Sequence, residues 1–311
     1  MRVVFLGTPA AAVPSLQALL ASRHEVAAVV TRPDKPRDRV GGRPSPSPVK
    51  LAAEAAGLPV VQPERGRDPE LPATLAAFGA EIGVTCAFGL LLPRPVLDAF
   101  PRGLVNVHFS LLPAYRGAAP VQRALLDGVA ITGVTIFQLD EGMDTGPVLS
   151  AVEVPVSQGE DAGSLTARLA VAGAELLVQT LSVLETGALE ARPQTESGAS
   201  LAPKVTAADA RLRFDVPAER VVNAVRAFTP APGAWTTLRG RRLKVLAASA
   251  HDPVAQLAPG QLALASDGGL LAGAADGPVR LDRVQPEGKR PMTGADLARG
   301  LRPGPDEHLG S

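Results

Sequence analysis

Two polar side chains interrupt an apolar stretch in the middle of the chain. Residues 104–108 read LVNVH, and the period-two alternation of a β-strand puts Asn106 and His108 on the same face. A strand buried on both faces should be apolar throughout, so this pair breaks the local pattern. An imidazole exchanges protons near neutral pH, and a carboxamide donates and accepts hydrogen bonds. The pair indicates proton transfer or ligand binding, with structural hydrogen bonds to neighbouring loops as the alternative.

An acidic, glycine-containing turn offers a partner for the imidazole. A predicted strand at residues 134–139 runs into Asp140, Glu141 and Asp144. If this strand lies beside residues 104–108, one of these carboxylates can reach His108, raise its pKa and fix its tautomer. The alternative is a structural Asp-Gly turn, which is the more common use of such residues.

A basic segment follows the second predicted strand. Residues 32–50 contain six basic side chains against Asp34 and Asp38, a local net charge of +4. The basic residues are Arg32, Lys35, Arg37, Arg39, Arg43 and Lys50. Such a segment suits a phosphate-rich partner, although most short charge clusters are solvated loops.

Alternating strand and helix patterns must position these residues. The predicted strands are 3–6, 26–30, 60–61, 82–87, 104–108 and 134–139, and the predicted helices are 14–20, 49–56 and 71–78. Short apolar strands separated by helices indicate βαβ units and a mostly parallel sheet. Ligands of such sheets bind beyond the carboxyl ends of the strands. Asn106 and His108 lie at such an end.

The pattern changes in the last third of the chain. A strong helix at 164–184 precedes a segment without periodicity, and a helix at 219–228 precedes short strand-like runs separated by Arg-Gly and Asp-Gly turns. These runs predict a small antiparallel sheet or barrel. We predict an α/β fold with a Rossmann-like, mostly parallel sheet domain followed by a small, OB-like β-barrel domain. The predicted bounds are 1–185 for the first domain, 186–203 for a linker and 204–311 for the C-terminal domain.

Composition limits the class of protein. A length of 311 residues with 46% hydrophobic and 20% charged residues suits about two globular domains and excludes a disordered or fibrous chain. The net charge of zero excludes a uniformly basic protein that coats nucleic acid, but the charge is unevenly distributed. Residues 204–311 carry 15 Lys/Arg against 11 Asp/Glu, a net charge of +4, and residues 1–203 carry −4.

Missing motifs exclude several chemistries. The sequence lacks the P-loop GxxxxGK[ST], a GxGxxG after its first strand and the hydrolase motif GxSxG. The four histidines and Cys86 have no metal-ligand spacing, and a single cysteine cannot form an internal disulfide. The first apolar run is too short for a signal peptide, and no apolar run approaches the roughly 18 residues that cross a bilayer. We expect a cytoplasmic protein with no metal and no membrane contact.

The motifs together resemble those of the folate-dependent formyltransferases. The segments that carry the resemblance are Asn106–His108, Ser110–Pro113, Tyr115–Pro120, Gly133–Thr135 and Asp144–Gly146. Residues 31–36, 46–50, 202–204 and 227–230 resemble more narrowly the members that act on methionyl-tRNA. The resemblance covers essentially the whole chain.

The resemblance implies transfer of a formyl group from the co-substrate 10-formyltetrahydrofolate to the amino group of initiator methionyl-tRNA, for translation initiation. It implies that the catalytic residues are Asn106, His108 and Asp144. It places the folate against the loop of Ser110, Leu111, Leu112 and Pro113. It also implies a monomeric protein.

The resemblance and the charge distribution together predict the tRNA contacts. The candidates in the basic segment are Arg37, Arg39 and Arg43, and those on a C-terminal hairpin are Arg239, Arg241, Arg242 and Lys244. Each single arginine has an alternative interpretation as a solvated surface residue. Phe109 departs from the family pattern, which usually has a small Gly there, so the turn before Ser110 can differ.

Two other functions stay open at this point. A formyltransferase that acts on a small amine, either glycinamide ribonucleotide or an amino sugar, would share the first domain, but it needs neither the basic segment nor a basic second domain. A non-catalytic RNA-binding adaptor would not need Asn106, His108 and Asp144 together.

Overall fold

The structure, a computed structural model, describes residues 1–36, 44–251, 257–304 and 306–310. Contacts between Cα atoms divide the chain into two units. The first comprises Met1–Pro120, Ile131–Pro155 and Thr166–Ala202. The second comprises Val121–Ala130, Val156–Leu165 and Pro203–Ser311. Arg37, Arg39 and Arg43 lie outside the described residues.

The described residues form fifteen strands and eight α-helices. The strands are β1 (Arg2–Gly7), β2 (Glu25–Val30), β3 (Lys35–Pro36), β4 (Pro44–Ser45), β5 (Val60–Val61), β6 (Ile82–Cys86), β7 (Leu104–His108), β8 (Ile131–Gln138), β9 (Val148–Pro155), β10 (Trp235–Leu238), β11 (Arg241–Ala250), β12 (Leu262–Leu264), β13 (Leu270–Gly273), β14 (Pro278–Pro286) and β15 (Met292–Thr293). The helices are α1 (Val13–Leu20), α2 (Pro48–Ala55), α3 (Leu71–Ala76), α4 (Arg94–Leu97), α5 (Pro120–Asp127), α6 (Ala162–Glu185), α7 (Ala218–Phe228) and α8 (Gly294–Leu301).

The first unit is built around a seven-stranded sheet with the order β5-β2-β1-β6-β7-β8-β9. The five strands from β5 to β7 pair in parallel, and β8 and β9 add antiparallel pairs. All five residues of β6 are buried, as are five of the six in β1 and in β2. Apolar strands of this kind are typical of a parallel sheet covered on both faces. The predicted Rossmann-like sheet is confirmed.

The register of the central strands determines which residues meet at the site. Asn106 on β7 lies opposite Thr85 on β6, and His108 lies opposite Thr135 on β8. β8 runs antiparallel to β7, so the turn after β8 leaves from the Leu104 end of β7, where Leu139 N donates to Leu104 O. The acidic turn must therefore fold back along β7 to reach His108.

The second unit contains a six-stranded antiparallel sheet that curls on itself. The strand order is β10-β11-β14-β13-β12, with β15 paired to β14. Leu309 forms a bridge to Leu238 in β10, and His308 forms one to Gln261, just before β12. The C-terminal residues thus join the two edges of the sheet, which confirms the predicted small barrel.

Part of the predicted linker bonds within the first unit. After α6 ends at Glu185, Arg192 exchanges backbone hydrogen bonds with Val148 of β9. Ala202 N donates to Arg116 O, and Ala202 O accepts from Ala119 N. This segment lacks periodicity because it follows the surface of other elements. The domain bounds at 185 and 204 stay a prediction.

Helix α6 is an exception to the expectation that no apolar stretch of the chain is long enough to cross a bilayer. Among the described residues it is long and apolar enough, by length and composition alone, to cross a membrane. Its buried residues Ala170, Ala174, Leu177 and Leu181 follow the spacing of an amphipathic helix that packs against a core. The core helices of soluble proteins have this same property, so its composition is weak support for a membrane span.

Candidate active site

Asn106 lies on β7 with its carboxamide fixed on one side. The Thr85 hydroxyl donates a hydrogen bond of 2.6 Å to Asn106 Oδ1. The two N–H donors of Asn106 Nδ2 have no hydrogen-bond partner among the described residues, and the side chain is half-buried. The amide is therefore satisfied as an acceptor and retains both donors for a bound group.

His108 is buried at the end of β7 and faces an acceptor on each side. Its Nε2 lies 2.9 Å from the Tyr115 carbonyl oxygen, and its Nδ1 lies 3.6 Å from Asp144 Oδ2. A carbonyl can only accept, so the neutral ring carries its proton on Nε2 and its lone pair on Nδ1. Burial lowers the pKa of His108, and the charge of Asp144 opposes this by favouring the imidazolium. The lowered pKa keeps the ring neutral near pH 7.

Asp144 is the acidic residue of the turn that reaches His108. Its Oδ2 accepts a hydrogen bond of 2.8 Å from Gly117 N, and its backbone has a positive φ of 54°. Asp140 instead closes the turn, accepting from Gly142 N and from the Thr145 hydroxyl. Of the three carboxylates that the residue pattern alone left open, the structure thus brings Asp144 to His108, and the side chain of Glu141 is exposed.

Gln194, which the sequence analysis did not identify, holds the Asp144 turn in place. Its Nε2 donates to the carbonyl oxygens of Asp144 and Gly146 at 2.8 and 2.7 Å. Its Oε1 accepts from Nε of the buried Arg116 at 3.0 Å. Every polar atom of the Gln194 side chain is therefore used. The local sequence gives no periodic signal for it, because its partners lie on distant segments.

The predicted folate loop directly follows β7 and is held by Thr135. The Thr135 hydroxyl donates to Ser110 O at 2.7 Å and accepts from Leu112 N at 3.1 Å, and Ser110 Oγ donates to Ala114 O at 2.6 Å. Leu111, Leu112 and Pro113 remain half-buried and accessible. A bound ligand can contact these three side chains, whereas the Ser110 hydroxyl already has a partner.

The surroundings of Gly133 and Phe109 explain two features of the sequence near this loop. A Cβ at Gly133 would overlap the Val152 carbonyl oxygen and would also crowd Leu111, which explains the glycine of the Gly133–Thr135 motif. The Phe109 side chain is buried and packs toward Gly173 on α6. Phe109 thus points into the core and leaves the loop after it accessible.

The predicted tRNA-binding residues of the hairpin differ in whether their charges are already paired with a carboxylate. The Arg239 guanidinium donates three hydrogen bonds to the Glu307 carboxylate, at 2.7 to 3.2 Å. Arg241, Arg242 and Lys244 lie exposed on β11. These three are the more available cations for a phosphate.

Arg242 also makes an aromatic contact. Its guanidinium lies 4.5 Å from the centroid of the Trp235 ring, and that of Arg211 lies 5.7 Å away. Such cation–π contacts are widespread in proteins, and this one holds the Arg242 guanidinium against the Trp235 ring.

The described residues give no indication of a metal site. No group of three or more His, Cys, Asp and Glu side chains in that part of the chain is arranged to hold an ion. Burial raises the pKa of the Cys86 thiol to about 12, so the free thiol is protonated near neutral pH.

Two family models match the chain. The model described as formyl transferase matches residues 1–181, and the model for the C-terminal domain of formyl transferase matches residues 204–302. A methionyl-tRNA formyltransferase of Parafrankia sp. is 51% identical over 312 residues, which cover 99% of each chain. One from Streptomyces coelicolor is 50% identical over 311 residues, which cover 100% of each chain.

Solved structures are similar in fold. HypX from Aquifex aeolicus in complex with tetrahydrofolic acid superposes with a TM-score of 0.65 at 19% identity, covering 96% of this chain and 47% of that one. Glycinamide ribonucleotide transformylase 1 from Symbiobacterium toebii superposes with a TM-score of 0.52 at 25% identity. This second match covers 63% of the present chain but 94% of the transformylase.

Proposed function

The chain belongs to the formyl transferase family, and on this basis we propose that it transfers the formyl group of 10-formyltetrahydrofolate to the amino group of initiator methionyl-tRNA. One observation carries the proposal: Asn106, His108 and Asp144 share one site in a chain that matches methionyl-tRNA formyltransferases over its whole length. The reaction prepares the charged tRNA for translation initiation. We also propose that the protein is a cytoplasmic monomer.

The attacking amine needs positioning more than activation. An α-amino group has a pKa of about 7.7–8.0, so a useful fraction is already neutral at pH 7. Holding this amine against the formyl carbon replaces an encounter in solution by a reaction within one complex. The folate supplies the formyl group, and the remaining chemistry is the stabilisation of charge and the transfer of a proton.

Asn106 fits the charge that develops on the formyl oxygen. Its Oδ1 accepts from Thr85, and its two N–H groups are free of partners among the described residues. An amide donor held in this way costs little reorganisation when the negative charge forms. We assign Asn106 as the oxyanion donor.

His108 fits the role of proton acceptor. A bond forms between the amine nitrogen and the formyl carbon, the bond from this carbon to folate N10 breaks, and one proton moves from the amine to N10. The neutral ring can hold this proton at Nδ1. The imidazolium then donates to the Tyr115 carbonyl from Nε2 and faces Asp144 from Nδ1, at the distances of 2.9 and 3.6 Å. Asp144 thus stabilises the protonated ring.

The loop after β7 fits a flat, partly apolar co-substrate. Leu111, Leu112 and Pro113 offer accessible apolar side chains, and Thr135 fixes the backbone that carries them. A largely apolar wall with a few fixed polar groups is typical of small-molecule sites. We propose that these residues hold the folate beside Asn106.

Comparing two acceptors tests the proposed function. The purified protein with 10-formyltetrahydrofolate should formylate initiator methionyl-tRNA, and it should be inactive toward glycinamide ribonucleotide at equal concentration. Rapid transfer to the ribonucleotide would favour the small-amine alternative. Binding of tRNA without any transfer would favour the non-catalytic adaptor. The measurement is the incorporation of labelled formyl group into each acceptor.

The exposed cations of β11 are proposed to bind tRNA phosphates. Replacing Arg242 by Ala should raise KM for tRNA several-fold, leave KM for the folate unchanged and lower the slope of log affinity against log salt by about 1. The matched control is Arg213→Ala. It also removes an exposed arginine of the second unit, but one that is paired with Asp215. Equal effects of the two substitutions would contradict a specific role for Arg242.

A further inference from the structure

Thr85 is a polar residue in a strand that is otherwise apolar. The sequence of β6 is IGVTC, and all five residues are buried, with Thr85 4% exposed. A valine would have the same branched shape and would suit such a strand better. The hydroxyl of Thr85 therefore needs an explanation beyond packing.

The hydroxyl is aimed at the carboxamide of Asn106. Thr85 and Asn106 are opposite each other in the parallel β6–β7 pair. Thr85 Oγ1 lies 2.6 Å from Asn106 Oδ1 and 3.3 Å from the Val105 carbonyl oxygen. A hydroxyl has a single proton, and the shorter of the two contacts is the better hydrogen bond.

This contact selects one of two orientations of the amide. In the observed orientation, Thr85 donates to Oδ1, and both N–H groups of Nδ2 stay available. After a 180° rotation, Nδ2 would donate to Thr85, and the Thr85 proton would depend on the longer contact to Val105 O. The rotated amide would also present its oxygen to the formyl oxygen, which would be repulsive.

We propose that Thr85 is a positioning residue that holds the Asn106 amide with its N–H donors directed at the reacting formyl group. This inference rests on the proposed function, because it assumes that Asn106 acts on the transferred group. Thr85 is buried and its hydroxyl bonds to Asn106 Oδ1, so we expect its effect to appear through Asn106. Pre-orientation contributes to rate because a donor that is already aligned needs no rearrangement in the transition state.

The test replaces Thr85 by Val and by Ser. Thr85→Val keeps the shape and removes the donor, and it should lower kcat about 10-fold with KM for both substrates unchanged within about two-fold. Thr85→Ser keeps the hydroxyl and should restore kcat to within about three-fold of the original. The matched control is Thr132→Val, since Thr132 is also buried in a strand of the first unit but its hydroxyl has no partner among the described residues. This control should leave kcat unchanged.

A double-mutant cycle separates positioning from a general loss of structure. In the Asn106→Ala background, Thr85→Val should cause no further loss of kcat, because the group that it orients is gone. The free energy of unfolding of each variant, measured with urea, identifies any variant that fails to fold. If Thr85→Val does not fold, Thr85→Ala takes its place in the cycle.

Three outcomes would overturn the proposal: an unchanged kcat in Thr85→Val, a loss of kcat that Thr85→Ser shares, or equal losses in the presence and absence of Asn106. The kcat of each variant is compared with that of the original protein for the same formyl acceptor, whichever acceptor that protein uses. A different acceptor would therefore overturn the proposed function and leave this test intact.

Discussion

Replacing Asn106 by Ala should lower kcat for formyl transfer by about 10²–10³-fold. Losses of this size are typical when one donor to a developing oxyanion is removed from a preorganised site. The side chain is half-buried and its N–H groups bond to no described residue, so its removal leaves few partners unsatisfied. The free energy of unfolding should therefore change little. Single-turnover measurement of formylation, at saturating concentrations of both substrates, gives the rate of the chemical step.

Asn106→Asp is the sharper companion, because it preserves size and replaces the donors with a negative charge. It should be at least as slow as Asn106→Ala, since an anion beside the formyl oxygen opposes the charge that develops there. Near-normal turnover in either variant would show that Asn106 has a structural role. A rise in KM for the folate with unchanged kcat would make it a binding residue.

The parts of the site that the sequence could predict are those with a local signature. Asn106 and His108 break an apolar alternation within five residues, and this break is visible without any knowledge of neighbours. The carboxyl end of β7 was predictable for the same reason. The residue pattern alone offered Asp144 only as one of three carboxylates, because the turn that brings it to His108 folds back along β7 in a way that no local pattern encodes. The family resemblance was what singled out Asp144.

Thr85 and Gln194 were not predictable because their roles depend on distant segments. Thr85 is 21 residues from Asn106 along the chain, and Gln194 is 50 residues from Asp144. In the sequence, Thr85 is an ordinary β-branched residue in a strand, and Gln194 lies in a stretch that resembles a linker. Only the strand register and the packing of residues 190–202 reveal their partners.

The missed elements have a similar physical explanation. β9 alternates between half-buried and exposed residues at the edge of the sheet, so its sequence lacks the continuous apolar run of the inner strands. Helix α4 has only four residues. Such short helices are held by tertiary packing, which a sequence pattern does not contain.

Replacing His108 by Ala should lower kcat by about 10²–10⁴-fold, the usual contribution of a positioned proton acceptor. The ring is buried and its Nε2 bonds the Tyr115 carbonyl, so the substitution also leaves an acceptor without its donor. His108→Gln keeps an N–H donor of similar reach, and it tests whether the loss comes from structure or from proton transfer. Recovery of most of the rate in His108→Gln would contradict a role in accepting the proton.

The pH profile distinguishes a neutral base from a cationic donor at His108. Burial lowers the pKa of His108 below the ordinary 6.5 of histidine. A neutral base should therefore remain active until the pH falls below this lowered pKa. Asp144 favours the imidazolium, so Asp144→Asn should move the acid limb of kcat to still lower pH while reducing the maximum rate. The titration of the substrate amine is common to all variants, so differences between their profiles report on the imidazole. If His108 acted as an imidazolium, kcat would instead rise as the pH falls through this range, and Asp144→Asn would delay that rise.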